Sequence, residues 1–319
     1  MFSCKIIMSA RERAFFLREG IWRNILGIRK GENIMANKID LHMHSTFSDG
    51  TLSPDELIAQ LKGQGISVFS LTDHDTMRGV SEIRKRDLQG MIFINGIEFS
   101  CRTEAGKCHI LGYGYDPQSS AMRGIVETGM AKRAAKMEKR IDYLRERGIT
   151  LTDEERKTLQ PLHSKGKPHL AAILVKRGLA RNNDEAIREY IDPVHTGNSR
   201  IDAKDAVGAI LRAGGIPVWA HPLGGQGEDA PSEEAFRRQL ALLMSYGIRG
   251  LECYYSKYSP KEAEKLAAAA AANGLFVSGG SDFHGAAKPG LPAGRLNSLD
   301  EDVTAEKLTI LKALGTRRE

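Results

Sequence analysis

The chain reads as an α/β protein, a parallel barrel or sheet interrupted by a helical insertion, on three observations. Short apolar runs alternate with helix-like segments from Lys38 onward, polar residues of metal-ligating type stand at the ends of most of those runs, and the strand signal disappears between Pro117 and Gly214. With 319 residues, 41% of them hydrophobic, the chain can bury a full core in one large domain or in one domain carrying an insertion.

Seven strands are predicted, near 38–43, 68–72 (VFSLT), 91–99 (MIFINGIEF), 109–113 (HILGY), 216–220 (IPVWA), 250–254 (GLECY) and 275–279 (LFVSG). Helix grammar sits between several of them. Ser53-Pro54-Asp55-Glu56 supplies an N-cap, a proline at the first helical position and acids in the first turn, and the helix stops at Gly63 or Gly65. The same signals recur at "SPKEAEKLAAAAAANG", capped by Ser259 and ended by Asn273-Gly274, with the alanine run acting as a helix former. In the strandless stretch, "GMAKRAAKMEKRIDYLRERG", "PHLAAILVKRG" and "NDEAIREYI" read as helices. The expected division is an N-terminal extension at 1–34, a first barrel part at 35–117, a helical insertion at 118–214 and a second barrel part at 215–319.

The net charge of +6 is uneven. Residues 1–34 hold seven Lys/Arg against three Glu, which is +4, so basicity over the rest is weak evidence for a polyanionic partner. That segment has no cleavage signature, and "RKGENIM" is what a purine-rich ribosome-binding site reads as when translated, so Met35 is expected to be the true start. Cys4, Cys101, Cys108 and Cys253 form no C-x-x-C pair, which argues against a zinc ribbon or disulfide framework and for reduced thiols in the cytoplasm. No apolar run reaches the roughly 18 residues of a membrane span. No membrane association and no obligate protein partner are expected.

"DLHMHSTFSDG", residues 40–50, places His42 and His44 two apart at a strand end, where residues i and i+2 face one side and can address one metal ion. Taken alone, an H-x-H is more often a solvated strand end, and His74, His109 or His221 alone is more often a hydrogen-bonded structural histidine. The placement of the whole set decides. His42, His44 and Asp49 follow the first strand, Asp73 and His74 the second; Glu98 lies near the end of the third; His221 follows "PVWA", and Asp282 with His284 follow "VSGGS". In α/β barrels those strand ends form one face, so the residues would converge; His109, which opens its strand, is the exception. Carboxylates mixed with imidazoles and no thiolate suit Zn²⁺, Mn²⁺ or Fe²⁺, and ten candidate ligands exceed what one ion needs, implying two or three ions. Clustered metals suit hydrolysis of a phosphate ester by a metal-bridged hydroxide. Asp40, Asp73 and Asp75 are expected to orient imidazoles rather than bind metal. His163 and His195, without motif support, are expected at the surface, and the glycines of "GGSDFHG" are expected to permit close backbone approach, not dinucleotide binding.

"DLHMHSTFSDG", "LTDHDT", "GIEFS", "CHILGYG", "WAHP" and "GGSDFHG", in that order over residues 38 to about 295, resemble the polymerase and histidinol phosphatase (PHP) family. The resemblance implies a distorted (β/α)7 barrel with two or three divalent ions. It also implies ligand sets: His42, His44, Glu98 and Asp282 for one ion, Asp49, His74 and His221 for a second, and Glu98, His109 and His284 for a third, with Glu98 bridging. Within the family, the helical insertion is most similar to stand-alone phosphoesterases acting on nucleoside 3′,5′-bisphosphates, AMP and short RNA 5′ ends. Arg133 and Lys136 match positions where relatives carry phosphate-binding Arg, and His169 matches a histidine of the same group. Lys136 offers a point charge in place of a bidentate fork, and "DPVHTGNSR" departs from the usual basic, Tyr-containing loop. No catalytic group separate from the metal ligands is identified. The alternatives are a histidinol phosphatase of the same fold and a non-catalytic PHP module.

Overall fold

In a computed structural model, which describes residues 38–159, 166–194, 197, 199–225 and 229–315, the apolar runs form a strongly connected sheet. The extension at 1–34, Met35, His163 and His195 lie outside the described residues. The strands are β1 (Lys38–Asp40), β2 (Ile66–Leu71), β3 (Ile92–Thr103), β4 (Gly106–Tyr113), β5 (Ile201–Asp202), β6 (Ile216–Trp219), β7 (Gly250–Tyr255) and β8 (Phe276–Gly280), in the order β1-β2-β3-β4-β6-β7-β8, with β5 beside β3.

Two parallel blocks, β1-β2-β3 and β6-β7-β8, are joined through β4, which runs antiparallel to both β3 and β6. This corrects the expectation of a wholly parallel sheet. Only Glu104 and Ala105 separate β3 from β4, a hairpin length, whereas a parallel pair needs a crossover of a dozen or more residues. The last strand returns to the first: Leu41 N donates to Gly279 O at 3.3 Å, Asp282 N to His42 O at 2.8 Å and His44 N to Phe283 O at 2.8 Å. Gly280 makes this approach possible, since a Cβ there would lie 2.2 Å from His42 Cβ. The result is a distorted (β/α) barrel.

The helices are α1 (Pro54–Gly63), α2 (Arg78–Ile83), α3 (Ser120–Glu146), α4 (Asp153–Leu159), α5 (Lys167–Lys176), α6 (Asn183–Ala186), α7 (Ala203–Arg212), α8 (Glu233–Tyr246), α9 (Pro260–Ala272) and α10 (Ile310–Gly315). Both predicted caps close as capping boxes: Ser53 accepts from Glu56 N while Ser53 N donates to the Glu56 carboxylate at 2.8 Å, and Ser259 with Glu262 repeats the pattern.

The barrel core holds Leu41, Phe99, Leu111, Val218 and Leu251 together with Ala206, Val207 and Ile210 of α7. A separate core joins Met137, Ile141, Leu144, Leu170, Leu174 and Ile191. Residues 201–212, within the stretch read as insertion, therefore pack on the barrel, through β5 and α7. Helix α3 belongs to both cores, burying Met122 and Val126 in one and Met137, Ile141 and Leu144 in the other. Its middle, which carries Arg133 and Lys136, spans the junction. Among the described residues, no helix is long and apolar enough to cross a membrane.

Candidate metal centre

Each candidate ligand is delivered by a strand end or the turn after it. His42 and His44 follow β1, Asp49 lies in the next turn, His74 follows β2, Glu98 is on β3, His221 follows β6, and Asp282 and His284 follow β8. The exception, His109, is explained by the reversed direction of β4. Because β4 is antiparallel, its early residues lie at the end where the parallel strands finish; His109 pairs with Ser100 on β3, and Ala220 N donates to His109 O at 3.0 Å.

Glu98 is fully buried and central. Its Oε2 lies 3.3 Å from His42 Nε2, 3.2 Å from His44 Nε2 and 3.1 Å from His74 Nδ1, while its Oε1 lies 2.8 Å from His109 Nδ1 and 3.2 Å from His221 Nε2. Asp282 Oδ1 stands 3.5 Å from His42 Nε2 and 3.3 Å from His44 Nε2. On the other side, Asp49 approaches His284 Nε2 at 3.2 Å and His74 Nε2 at 3.8 Å. Three groups compact enough to hold an ion result: His42, His44, Glu98 and Asp282; His44, Asp49, His74 and His284; and His74, Glu98 and His109. The first matches the set the resemblance implies. His284, however, sits with Asp49, and His221 sits with Glu98 and His109, its Nε2 3.2 Å from His109 Nδ1.

The donor set fits divalent ions on a specific ground. His42 Nε2, His44 Nε2, Asp49 Oδ1, His74 Nδ1, Glu98 Oε2 and His284 Nε2 are all buried without a hydrogen-bonding partner. Such atoms are costly to bury unless something else satisfies them, and here they converge. The electrostatics agree. For Glu98, burial pushes the carboxyl upward, but His74, His109 and His42 outweigh it and hold it well below its usual range. Asp49 and Asp282 are likewise held well below, against burial, by His74 and His284 and by Lys288 and His284 respectively. Burial, reinforced by nearby cations, lowers His74, His109 and His284, which leaves their lone pairs free near neutral pH. At His42 and His44 burial is outweighed by Glu252, Glu98 and Asp282; His42 is raised well above its usual value and His44 to about 9. A field that favours a proton at those two nitrogens also favours a metal cation.

The surrounding groups differ from expectation. Asp40, Asp73 and Asp75 mostly order backbone: Asp40 accepts from the backbone N–H of Ser281, His42 and Gly294, Asp73 from Ser45 N and the Ser45 and Ser48 hydroxyls, and Asp75 from Ser100 N and Arg133; only Asp73 reaches a ring, through Ser48 Oγ 3.4 Å from His44 Nδ1. Each sits at a strand end, where uncapped N–H groups are the nearest donors. Ring orientation falls mainly to Glu252, whose Oε1 is 2.8 Å from His42 Nδ1 and whose Oε2 accepts from His221 N at 2.8 Å, and to Asp282 O, 2.7 Å from His284 Nδ1. Sequence reasoning missed Glu252; its signal was a lone acid inside the apolar strand "GLECYY". It also missed Lys288 and Tyr255, which contact Asp282 Oδ2 at 3.0 Å and 3.1 Å. Asp75, His221 and Asp282 adopt positive φ (53°, 30° and 57°), a concentration of backbone strain at this site.

Of the predicted substrate residues, Arg133 and His169 lie beside the candidate ligands. Arg133 pairs with Asp75 and donates to Ser100 Oγ at 2.6 Å. His169 Nδ1 accepts from Gly166 N at 3.0 Å, and its ring is near Ser48 and Asp49. Lys136 faces Arg140, Arg200, Arg133 and Lys167; burial and these cations push it down to about 7. Arg140 is buried with an unpartnered Nε.

A β/α barrel that gathers six imidazoles and three carboxylates at one mouth has the donors to hold divalent metal. The PHP domain model matches residues 40–206, and the chain belongs to the PHP family. It is 30% identical over 272 residues to a 3′,5′-nucleoside bisphosphate phosphatase of Chromobacterium violaceum, covering 83% of this chain and 93% of the relative. It is 31% identical over 255 residues to a 5′-3′ exoribonuclease of Haemophilus influenzae, covering 78% and 91%. Among solved structures, an amidohydrolase from Chromobacterium violaceum with bound sulfate superposes with a TM-score of 0.75 at 28% identity, covering 88% of this chain and 96% of that one.

Proposed function

We propose that the protein is a metal-dependent phosphoesterase that hydrolyses phosphate esters of nucleotides, nucleoside 3′,5′-bisphosphate or AMP, or the 5′ ends of short RNA. The observation that carries this reading is the convergence of six buried, unpartnered ligand atoms, Glu98 Oε2 among them. His42, His44, Glu98 and Asp282 would hold one divalent ion, His44, Asp49, His74 and His284 a second, and Glu98, His109 and His221 a third, with Mn, Fe or Zn suited to these donors. Such ions supply charge neutralisation at phosphoryl oxygens and an activated water. Around them, Glu252 fixes the His42 ring so that Nε2 faces the centre, and Asp282 O does the same for His284. Arg133, Lys136 and His169 hold phosphoryl oxygens of the substrate. The unpaired thiols Cys101, Cys108 and Cys253 accord with a reducing compartment, the cytoplasm.

The test is metal analysis of the purified protein together with a phosphatase screen over pAp, AMP, short 5′-phosphorylated RNA and histidinol phosphate. Metal-dependent turnover of the nucleotide substrates is expected; preference for histidinol phosphate would replace the substrate assignment, and no turnover of any ester in the metal-loaded protein would overturn the reading.

A further inference from the structure

Of the three candidate ligand carboxylates, Asp282 is held differently from the other two. Glu98 turns both Oε1 and Oε2 to imidazole nitrogens, and Asp49 turns its two oxygens to those of His44, His74 and His284. Asp282 faces inward with Oδ1, 3.5 Å from His42 Nε2 and 3.3 Å from His44 Nε2. Its Oδ2 is capped from outside the ligand set, by Tyr255 OH donating at 3.1 Å and Lys288 Nζ donating at 3.0 Å. We propose that Tyr255 and Lys288 are positioning residues that limit Asp282 to one ligand oxygen and so keep a coordination position free for water or substrate, an inference that rests on the metal centre of the reading above.

A carboxylate can bind a divalent ion through one oxygen or both, and a site that performs chemistry needs a position the protein does not fill. His42, His44, Glu98 and Asp282 already offer four donors to one ion, so a fifth from Oδ2 would occupy such a position. Turning Oδ2 inward requires both capping bonds to break. The caps are built into the fold. Tyr255 is fully buried at the end of β7, where its hydroxyl needs a partner, and Tyr258 packs on its ring with centroids 5.0 Å apart. Lys288 follows the short turn Gly285–Ala287, which is tied down by Ala286 N donating to Thr51 Oγ1 at 2.9 Å and Lys288 N donating to Gly285 O at 3.3 Å. The Asp282 backbone is fixed as well, with φ at 57° and its N–H on His42 O, so the carboxylate can move only about its own side-chain bonds. Charge balance alone would account for Lys288 beside Asp282; it does not account for a neutral phenol on the same oxygen.

The experiment takes wild type, Tyr255→Phe, Lys288→Met and Lys288→Arg, each checked for cooperative melting. It measures Mn²⁺ binding by calorimetry, the water proton relaxivity of the Mn²⁺-loaded protein, which reports exchanging water at the ion, and kcat on p-nitrophenyl phosphate. Freeing Oδ2 adds a ligand, so Lys288→Met should bind Mn²⁺ at wild-type stoichiometry and no more weakly, yet show lower relaxivity and a kcat lower by about ten- to a hundredfold. Tyr255→Phe leaves the ammonium in place and should move relaxivity and kcat the same way by less. Lys288→Arg keeps a donor for Oδ2 and should recover most of the difference. Weaker Mn²⁺ binding, with activity restored by excess metal, would make the two residues ordinary supports of the site and overturn the proposal, as would unchanged relaxivity in Lys288→Met. Binding and relaxivity need no turnover: a wild type that hydrolysed no ester, with a Lys288→Met variant that still lost exchanging water, would count against the phosphoesterase reading and leave the role of the two residues standing.

Discussion

The barrel mouth and the middle of α3 face the same space but are built in opposite ways. At the mouth, ligand atoms are buried, converge within a few ångströms and lack partners, while the backbone that carries them is pinned by Asp40, Asp73 and Glu252. On α3, the cations are part-buried and crowd one another, and Arg133 already spends two of its donors on Asp75 and Ser100. The first region is preorganised for one task, holding positive charge. The second crowds like charges together, and under the proposed function its residues would set which substrate is preferred rather than whether chemistry occurs.

The sharpest way to break this comparison is to remove a ligand from the mouth. His42→Ala or Asp282→Ala should lower kcat by roughly three orders of magnitude or more, about 4 kcal/mol in the barrier, on every substrate alike. Metal content should fall with it while the circular dichroism spectrum stays native; turnover near wild type in a folded variant would remove these residues from the centre. Chelation with EDTA should silence the wild type to a similar extent, with Mn²⁺ among the ions that restore it. A smaller effect is expected one layer out. Glu252→Gln keeps the shape but weakens the acceptor at His42 Nδ1, and such outer groups contribute about ten- to a hundredfold in metal affinity or activity. Metal titration should show the loss as weaker affinity that excess metal recovers.

The same contrast governs what could be read from the sequence. His42, His44, His74, Glu98, His221, Asp282 and His284 were legible because a strand end is a local signal and the barrel gathers strand ends at one mouth. His109 broke that rule only because β4 is antiparallel, which the two-residue link at Glu104-Ala105 could have indicated. Glu252 stayed hidden since its partners, His42 and His221, lie 210 and 31 residues away, and a lone acid in an apolar strand does not name them. That His284 closes against Asp49 while His221 lies beside Glu98 and His109 was likewise out of reach, because it depends on contacts made across the barrel. On α3 the residue types were visible, yet the pairing of Arg133 with Asp75 depends on tertiary packing.

Substitutions on the insertion should sharpen the comparison by separating substrates. Arg133→Ala and His169→Ala should lower kcat/KM on pAp by about ten- to a hundredfold, roughly 1.5 to 3 kcal/mol, and leave p-nitrophenyl phosphate little changed, since a contact to a remote group counts only when that group is present. Equal losses on both would assign these residues to support of the centre, which for Arg133 is a real alternative through Asp75.

The smallest expected effect is on stability and comes from Lys136, pushed down to about 7 first by burial and then by Arg140, Arg200, Arg133 and Lys167. An ammonium whose folded pKa is depressed disfavours the native state fully below that pKa, where both states are protonated. The cost declines as pH rises from about 7 toward the unfolded value near 10.4, because there the unfolded chain binds the extra proton. Lys136→Met removes the cost, so it should raise the melting temperature more at pH 6 than at pH 9. Because the side chain is partly solvated, the gain at pH 6 is on the order of 2 kcal/mol or less, a few degrees in Tm. Phosphate should also stabilise the wild type, by binding the cations, and should do so less for Lys136→Met. A melting-temperature difference that is independent of pH and of phosphate would mean that Lys136 carries no strained charge, and the contrast between a fixed mouth and a cation-crowded helix would lose its electrostatic basis.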